Sequence, residues 1–490
     1  MKINRLSKMA LATAITAFAA CTDLVNKETD SIVRTSSGGF TPGDPAALLE
    51  SAYKDLEAAD AFALGQVCTA DLIPPTRGVD WGDNGVWRSI DQHTWDQTHP
   101  FMRDSWNTMN QQAYKATEIL ASNPSPAQKA EAQFLRAFNM FMIMDYFGQV
   151  PFREVTQGVE ELPKVLSRAE AFDFIAKDLT EALPALEVIG PKYNNGKASK
   201  AAANFLLAKL YLNKAVFKSD APAGPYTFEK ADMDKVIACI KAITDNGYSL
   251  DPDYFNVFSR NSRAETIFVS NEGVPSTRWY MTLSYAQNPS GWNGFATLAN
   301  FYDSFENSDI RKGSRGKSDG TLYSGIGLGF LIGQQYDDNG KEVIDYRAKM
   351  PLSFSRDVPP TGAATYKGIR VIKYHPANSG KLTFMRYGEA VLMKAEAQLR
   401  GGNAAEALAT VNNLRRVRKA SNFSSLTEDN LFDEIGREIY WEGFRRTVEV
   451  RFRKFTSGEG VLKKDSYTVL FPIPLTALVS NSNLKQNDGY

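Results

Sequence analysis

The sequence predicts a mainly α protein. It is read as tetratricopeptide-like helical repeats, an α–α superhelix, joined to an irregular, loop-rich part with short strands that carries the ligand-binding side chains. Three observations lead there. The stretch 131–148 has no β-branched residue before Ile143 and is rich in Ala, Leu and Met, so it should be helical. Its apolar positions Phe134, Ala137, Phe138, Phe141 and Met144 cover more than one face, which places it among other helices rather than on a surface. Ala395 and Ala407 lie on two apolar-periodic segments joined through Gly401-Gly402-Asn403, the pattern of a helical hairpin whose small residues sit where the helices touch. Finally, 67–99 and 248–384 lose helical periodicity, and Gly, Pro, Asp and Asn recur there around tryptophans.

Taken in order, the chain opens with Lys2, Arg5 and Lys8, then an apolar run of small residues from Met9 to Ala20 that is too short to span a bilayer. Ala19-Ala20-Cys21 has the small-small-Cys spacing of a lipoprotein processing site, with Cys21 as the acylated residue; a plain secretory signal cut nearby is the alternative. Residues 22–43 are polar and read as a tether. Helices are expected over 45–59, 101–122, 168–186, 197–217, 228–246, 386–400 and 404–419, with 436–452 as a further helix end. Gly148 should cap the 131–148 helix, since Pro151 forbids continuation. Trp106 is assigned to the core.

The first loop region contains Arg77, Trp81, Asp83, Asn84 and Trp87 in a Gly/Pro/Asp/Asn setting. A flat ring suits the apolar C–H face of a pyranose, and Arg, Asp and Asn suit its hydroxyl edges. Loops on a rigid scaffold are where such groups act. Trp81 either meets ligand or pins its loop; Trp87, ahead of His93-Thr94-Trp95, is read as pinning. The second region repeats the pattern with Trp279-Tyr280 and with Trp292-Asn293 flanked by glycines, while Phe295 is assigned to the core. Arg77, Trp81, Asp83, Asn84, Trp279, Tyr280, Trp292 and Asn293 are therefore the candidate ligand-binding residues.

Composition bounds the function. Lys plus Arg equals Asp plus Glu at 56 each, which argues against nucleic acid as the main partner. Only three histidines occur, with no H-E-x-x-H and no Cys/His cluster at zinc spacing, so no metal ligand and no cofactor are assigned; a calcium site from the loop carboxylates stays open, with no spaced motif behind it. Gly325 to Phe330 is glycine-rich but lacks G-x-G-x-x-G spacing. Asp80, Asp83, Asp91 and Asp96 are read as solvated or hydrogen-bonding carboxylates rather than a glycosidase pair, and no catalytic residue is assigned. Cys68 and Cys239 are expected to be free thiols, and Asp309 and Arg311 a structural ion pair.

Several segments together resemble the SusD/RagB family of surface nutrient-binding lipoproteins. They are Arg136-Ala137-Phe138, Asp145-Tyr146-Phe147-Gly148-Gln149-Val150-Pro151-Phe152, the 76–95 tryptophan loop, Tyr302-Asp303-Ser304-Phe305, and Glu442-Gly443-Phe444-Arg445-Arg446. The ending Pro472-Ile473-Pro474 with Asn483-Leu484-Lys485-Gln486-Asn487-Asp488-Gly489-Tyr490 also agrees, and reads as a complete C-terminus. The resemblance implies a signal peptide over 1–20 and a SusD-like domain over 21–490, with an N-terminal part to about 250 and a C-terminal part from about 251. It implies a lipid-anchored protein at the outer-membrane surface that binds an oligosaccharide or polysaccharide and caps a SusC-like TonB-dependent β-barrel transporter. A repeat-type adaptor for a peptide or protein and a glycoside-active enzyme are the alternatives.

Overall fold

Helix starts in this chain are written in its caps. Ser125 accepts from the Gln128 amide while the Gln128 side chain returns to Ser125, and Ser167 with Glu170 does the same. The computed structural model describes residues 40–54, 56, 62–77, 83–158, 160–192, 195–275, 278–458 and 461–490. The signal segment, Cys21, the tether up to residue 39 and the ring of Trp81 lie outside these. The principal helices are α1 (Pro45–Lys54), α2 (Pro100–Ala121), α3 (Pro126–Phe147), α4 (Arg168–Ala182), α5 (Lys200–Leu212), α6 (Lys230–Asp245), α7 (Tyr387–Arg400), α8 (Ala404–Val417), α9 (Glu428–Ile439) and α10 (Arg445–Arg451). The principal strands are β1 (Gln149–Phe152), β2 (Lys164–Ser167), β3 (Thr266–Val269), β4 (Leu328–Leu331), β5 (Arg370–Ile372) and β6 (Thr383–Arg386), paired antiparallel as β1–β2, β4–β5 and β3–β6.

Helices α2, α3 and α4 pack in succession, α5 packs on α6, and α7 packs on both α6 and α8. Helix α3 is central. Phe134 meets Phe268 of β3 at 5.2 Å between ring centroids, Phe138 meets Phe384 of β6 at 5.5 Å, and Phe141 meets Phe217 at 5.7 Å. It ends at Gly148 in the left-handed region, φ 74°, as expected from sequence. Trp106 is buried and sets its ring edge-on to Phe147 at 5.0 Å. In the α7–α8 hairpin both Ala395 and Ala407 are fully buried, the close approach their spacing predicts.

Some boundaries shift for physical reasons. The 168–186 helix stops at Ala182: Leu183 keeps helical φ −48° and ψ −45°, but Pro184 has no N–H to continue the ladder. The 197–217 helix breaks at Asn213, whose side chain donates to the Lys209 carbonyl at 2.7 Å and accepts from Arg451 at 2.8 Å. The 436–452 segment breaks between α9 and α10, where Trp441 and Gly443 take φ of 59° and 91°. Cys68 and Cys239 are free. Among the described residues no helix is long and apolar enough to cross a membrane.

The irregular part is fastened to the helices by buried charge. Arg311 pairs with Asp309 at 2.7 Å, Glu434 at 2.8 Å and Glu438 at 3.1 Å. Arg418 and Arg386 reach Glu438 at 2.7 Å each, both also contact Glu265, and Arg386 joins Lys373 on Glu442. The ion pair anticipated at Asp309 and Arg311 is thus one edge of a network linking α9, the end of α8, β6 and the 309–312 turn. Pairing each of these charges with several partners offsets the cost of burying them.

Candidate ligand-binding face

Three loops meet at one edge of the helical body. The first, residues 62–77, begins with a π-helical turn over Ala63–Val67. Ile73 and Ala296 exchange backbone hydrogen bonds at 2.8 and 2.9 Å, and the Thr297 hydroxyl donates to the Asp71 carbonyl at 2.7 Å, so this loop is stitched to the second, 278–297. The third, 355–370, closes the set. Thr76 donates to the Pro360 carbonyl at 3.0 Å and Thr297 to that of Ile369 at 2.9 Å.

The second loop is folded so as to present rings. Trp292 N donates to the Tyr280 carbonyl at 2.8 Å and Asn293 N to that of Leu283 at 2.8 Å. Gly291 allows this return: a Cβ there would lie 2.4 Å from the Leu283 carbonyl oxygen. Trp279, Tyr280 and Trp292 then form an edge-to-face series, with centroids 5.6 and 5.3 Å apart. Trp279 leans on a small apolar cluster beneath, Tyr280 is half-buried, and Trp292 is 50% exposed. The structure brings Trp292 together with Trp279 and Tyr280; Trp81, which the sequence reading expects on the same face, lies outside the described residues.

Arg77 and Asn293, both candidate ligand-binding residues, require correction: their side chains point into the protein. Asn293 is fully buried at φ 57°; its amide donates to the Thr365 carbonyl at 3.0 Å and accepts from Arg370 at 2.7 Å. Arg77 is buried and donates to the Ala364 carbonyl at 2.7 Å, and burial lowers its guanidinium to about 9. Both residues brace the third loop against the other two. Asn84 is exposed with φ 52° in the turn Asp83–Gly85, and the side chain of Asp83 lies outside the described residues, as does Trp81. Trp87 packs at a tilt on Phe101, 4.5 Å between ring centroids, and edge-on to the buried Phe295 at 5.1 Å, so it pins its loop as its setting suggested. Asp91 is buried, and Asp96 accepts from the Thr98 amide and hydroxyl at 2.7 and 2.6 Å.

Sequence reasoning passed over Tyr285, Tyr346 and Arg347. Arg347 lies over the Tyr285 ring at 4.0 Å, and Tyr346, 58% exposed, stands at the tip of the hairpin formed by Ile344–Asp345 and Met350–Pro351. Burial raises the Tyr285 hydroxyl, with the nearby Arg77 opposing and Tyr346 reinforcing. Asp345 accepts from Thr365, which ties this hairpin to the third loop and extends the ring face. Tyr285 stands five residues beyond Tyr280 in the same loop, a signal the sequence did contain.

Comparison with known proteins agrees with this architecture. The SusD family profile matches residues 256–461, and a second, described as starch-binding associating with outer membrane, matches 82–198. The chain belongs to the SusD/RagB family. It is 27% identical over 444 residues to the starch-binding protein SusD of Bacteroides thetaiotaomicron, covering 76% of this chain and 75% of that one. The SusD-like protein P2 of Formosa agariphila is 22% identical over 541 residues, covering 99% of each. Among solved structures, a SusD-like protein of Bacteroides fragilis superposes with TM-score 0.69 at 18% identity, covering 91% of this chain and 96% of that one. The surface glycan-binding protein A of Bacteroides thetaiotaomicron in complex with laminarihexaose gives 0.66 at 17% identity, covering 90% and 98%. These structural likenesses establish the SusD fold.

Proposed function

We propose that this protein is a cell-surface glycan-binding lipoprotein that assists nutrient uptake, and that the ring face of Trp279, Tyr280 and Trp292 is where it holds an oligosaccharide. The observation that carries this reading is the half-exposed indole of Trp292, held edge-to-face by Tyr280 on a loop that Gly291 and the Asn293 amide lock in place. A ring so fixed loses little freedom on stacking against a sugar, and the sparse polar groups around it supply orientation. Asn84, Tyr346 and Arg347 are exposed in the chain's loops and are suited to hydroxyl contacts. The family's starch-binding and glycan-binding relatives support the same ligand class. The reading is one of binding without turnover.

In this reading residues 1–20 are removed, Cys21 is lipidated, and residues 21–490 form one SusD-like unit at the outer-membrane surface. Its partner is a SusC-like TonB-dependent β-barrel transporter, which the protein caps. Native affinity electrophoresis against a polysaccharide panel tests the binding: retardation by at least one glycan is expected. Intact-mass analysis of the membrane form should show acyl chains on Cys21, and a large barrel should co-purify in mild detergent. Migration unaltered by every glycan, with no barrel in the preparation, contradicts the reading.

A further inference from the structure

Behind the first loop lies a separate cavity of about 370 Å³, at the small end of the roughly 300–1,000 Å³ usual for small-molecule sites. Its floor holds Asp71, Glu449 and Arg445, which are 2%, 2% and 5% exposed. Phe301 and Phe432 wall it, and Ser304 stands at the exposed rim. None of these residues belongs to the ring face.

The hydrogen bonding of the floor is incomplete in a specific way. Asp71 Oδ1 accepts from Gln66 Nε2 and Thr69 Oγ1 at 2.6 Å each, while Oδ2 has no partner among the described residues. Arg445 stacks on Phe432, 3.9 Å from the ring centroid, and donates through Nη1 to the Phe432 carbonyl at 3.2 Å. Its Nε stands 3.5 Å from Glu449 Oε1 but makes no hydrogen bond. Glu449 Oε1 already accepts from the Ala70 amide at 3.3 Å. The floor thus leaves one buried acceptor and one buried donor unsatisfied, each costing free energy until matched.

We propose that this cavity is a second ligand site, built for the hydroxyl edge of a single neutral sugar ring. A hydroxyl donates and accepts at once, so it can answer both Asp71 Oδ2 and Arg445 Nε. An ammonium group answers only the carboxylate, and an anion only the guanidinium. The ring walls meet the C–H faces of the same ligand. Burial also pushes the Glu449 carboxyl up to about 8, which leaves the floor with less negative charge to draw a cation. The site stands on its own geometry and does not depend on glycan binding at the ring face.

The test uses the full chain carrying Trp292→Ala, so that the ring face is disabled, and follows glucose, galactose and mannose singly by saturation-transfer NMR and calorimetry. Glucosamine and glucuronate serve as charged counterparts. At least one neutral hexose is expected to bind, and more tightly than either charged sugar. Asp71→Asn keeps the oxygen that Gln66 and Thr69 hold and replaces the free one; it should weaken that hexose by about tenfold or more. Ser304→Trp fills the mouth from an exposed position and should abolish binding with the fold intact by circular dichroism. Failure of all three neutral hexoses to bind overturns the proposal, as does preference for a charged sugar or binding indifferent to both substitutions. Loss of polysaccharide retention in Trp292→Ala alone reports on the ring face and not on this cavity.

Discussion

The buried charge network joins the irregular part to the helices, the ring face lies on that irregular part, and the two use polar and aromatic side chains in opposite ways. Around Glu438 the charges are buried and paired with several partners each. Around Trp292 the rings are braced from below and left open above. The network holds the loops to the helices, and the ring face is what they are held in place to present. The difference teaches that a conspicuous residue in a loop is functional only where its surroundings leave it unspent: Asn293 stands one residue from Trp292 and is consumed by structure.

The largest effect that would break this comparison lies in the network. Glu438→Ala removes the carboxylate shared by Arg311, Arg386 and Arg418 and should cost about 3–5 kcal/mol, read from urea denaturation. A loss below about 1 kcal/mol would show the network to be incidental. Burial pushes the Glu438 carboxyl up, but attraction to the three arginines prevails and holds it well below its usual range. Its stabilisation is therefore complete above the ordinary carboxylate pKa of about 4.3 and is lost as pH falls toward the depressed folded value.

Asn293→Ala comes next. It leaves the Thr365 carbonyl and Arg370 short of a partner and should cost about 1–3 kcal/mol. Trp292→Ala, one residue away, should change stability by about 0.5 kcal/mol or less because the ring is half exposed. Thermal melts of the two variants side by side sharpen the distinction; equal losses would erase it. The smallest test concerns Glu449, whose carboxyl is raised to about 8 by burial, partly opposed by Arg445. Between about pH 4.3 and 8 the folded chain holds a proton there that the unfolded chain releases, so this group makes stability fall as pH rises. Glu449→Gln should flatten that slope in denaturation midpoints measured at about pH 5 and 8.

Much of the fold was legible because periodicity and caps are local. Helix α3 with its Gly148 cap, the α7–α8 hairpin and the Asp309–Arg311 pair all follow from spacings within a few residues. The full charge network was not, since Glu265, Arg386 and Glu438 come together only through tertiary packing. At the candidate face, composition located the loops and the Trp279, Tyr280 and Trp292 rings. It could not tell an outward side chain from an inward one, and Arg77 and Asn293 turned inward to satisfy carbonyls of a loop some 70 to 290 residues away, as the separations of 287 and 72 show. Tyr346 stayed hidden because its hairpin reaches the face only through tertiary contacts, Asp345 with Thr365 and Arg347 with Tyr285.

The most direct test of the central claim is calorimetric titration of an oligosaccharide from the retained polysaccharide into wild-type protein, Tyr280→Ala and Trp292→Ala. By analogy with base stacking on aromatic rings, each lost ring should cost about 1–3 kcal/mol, about tenfold or more in Kd, with the melting temperature of Trp292→Ala nearly unchanged. Wild-type affinity in both variants would contradict the account.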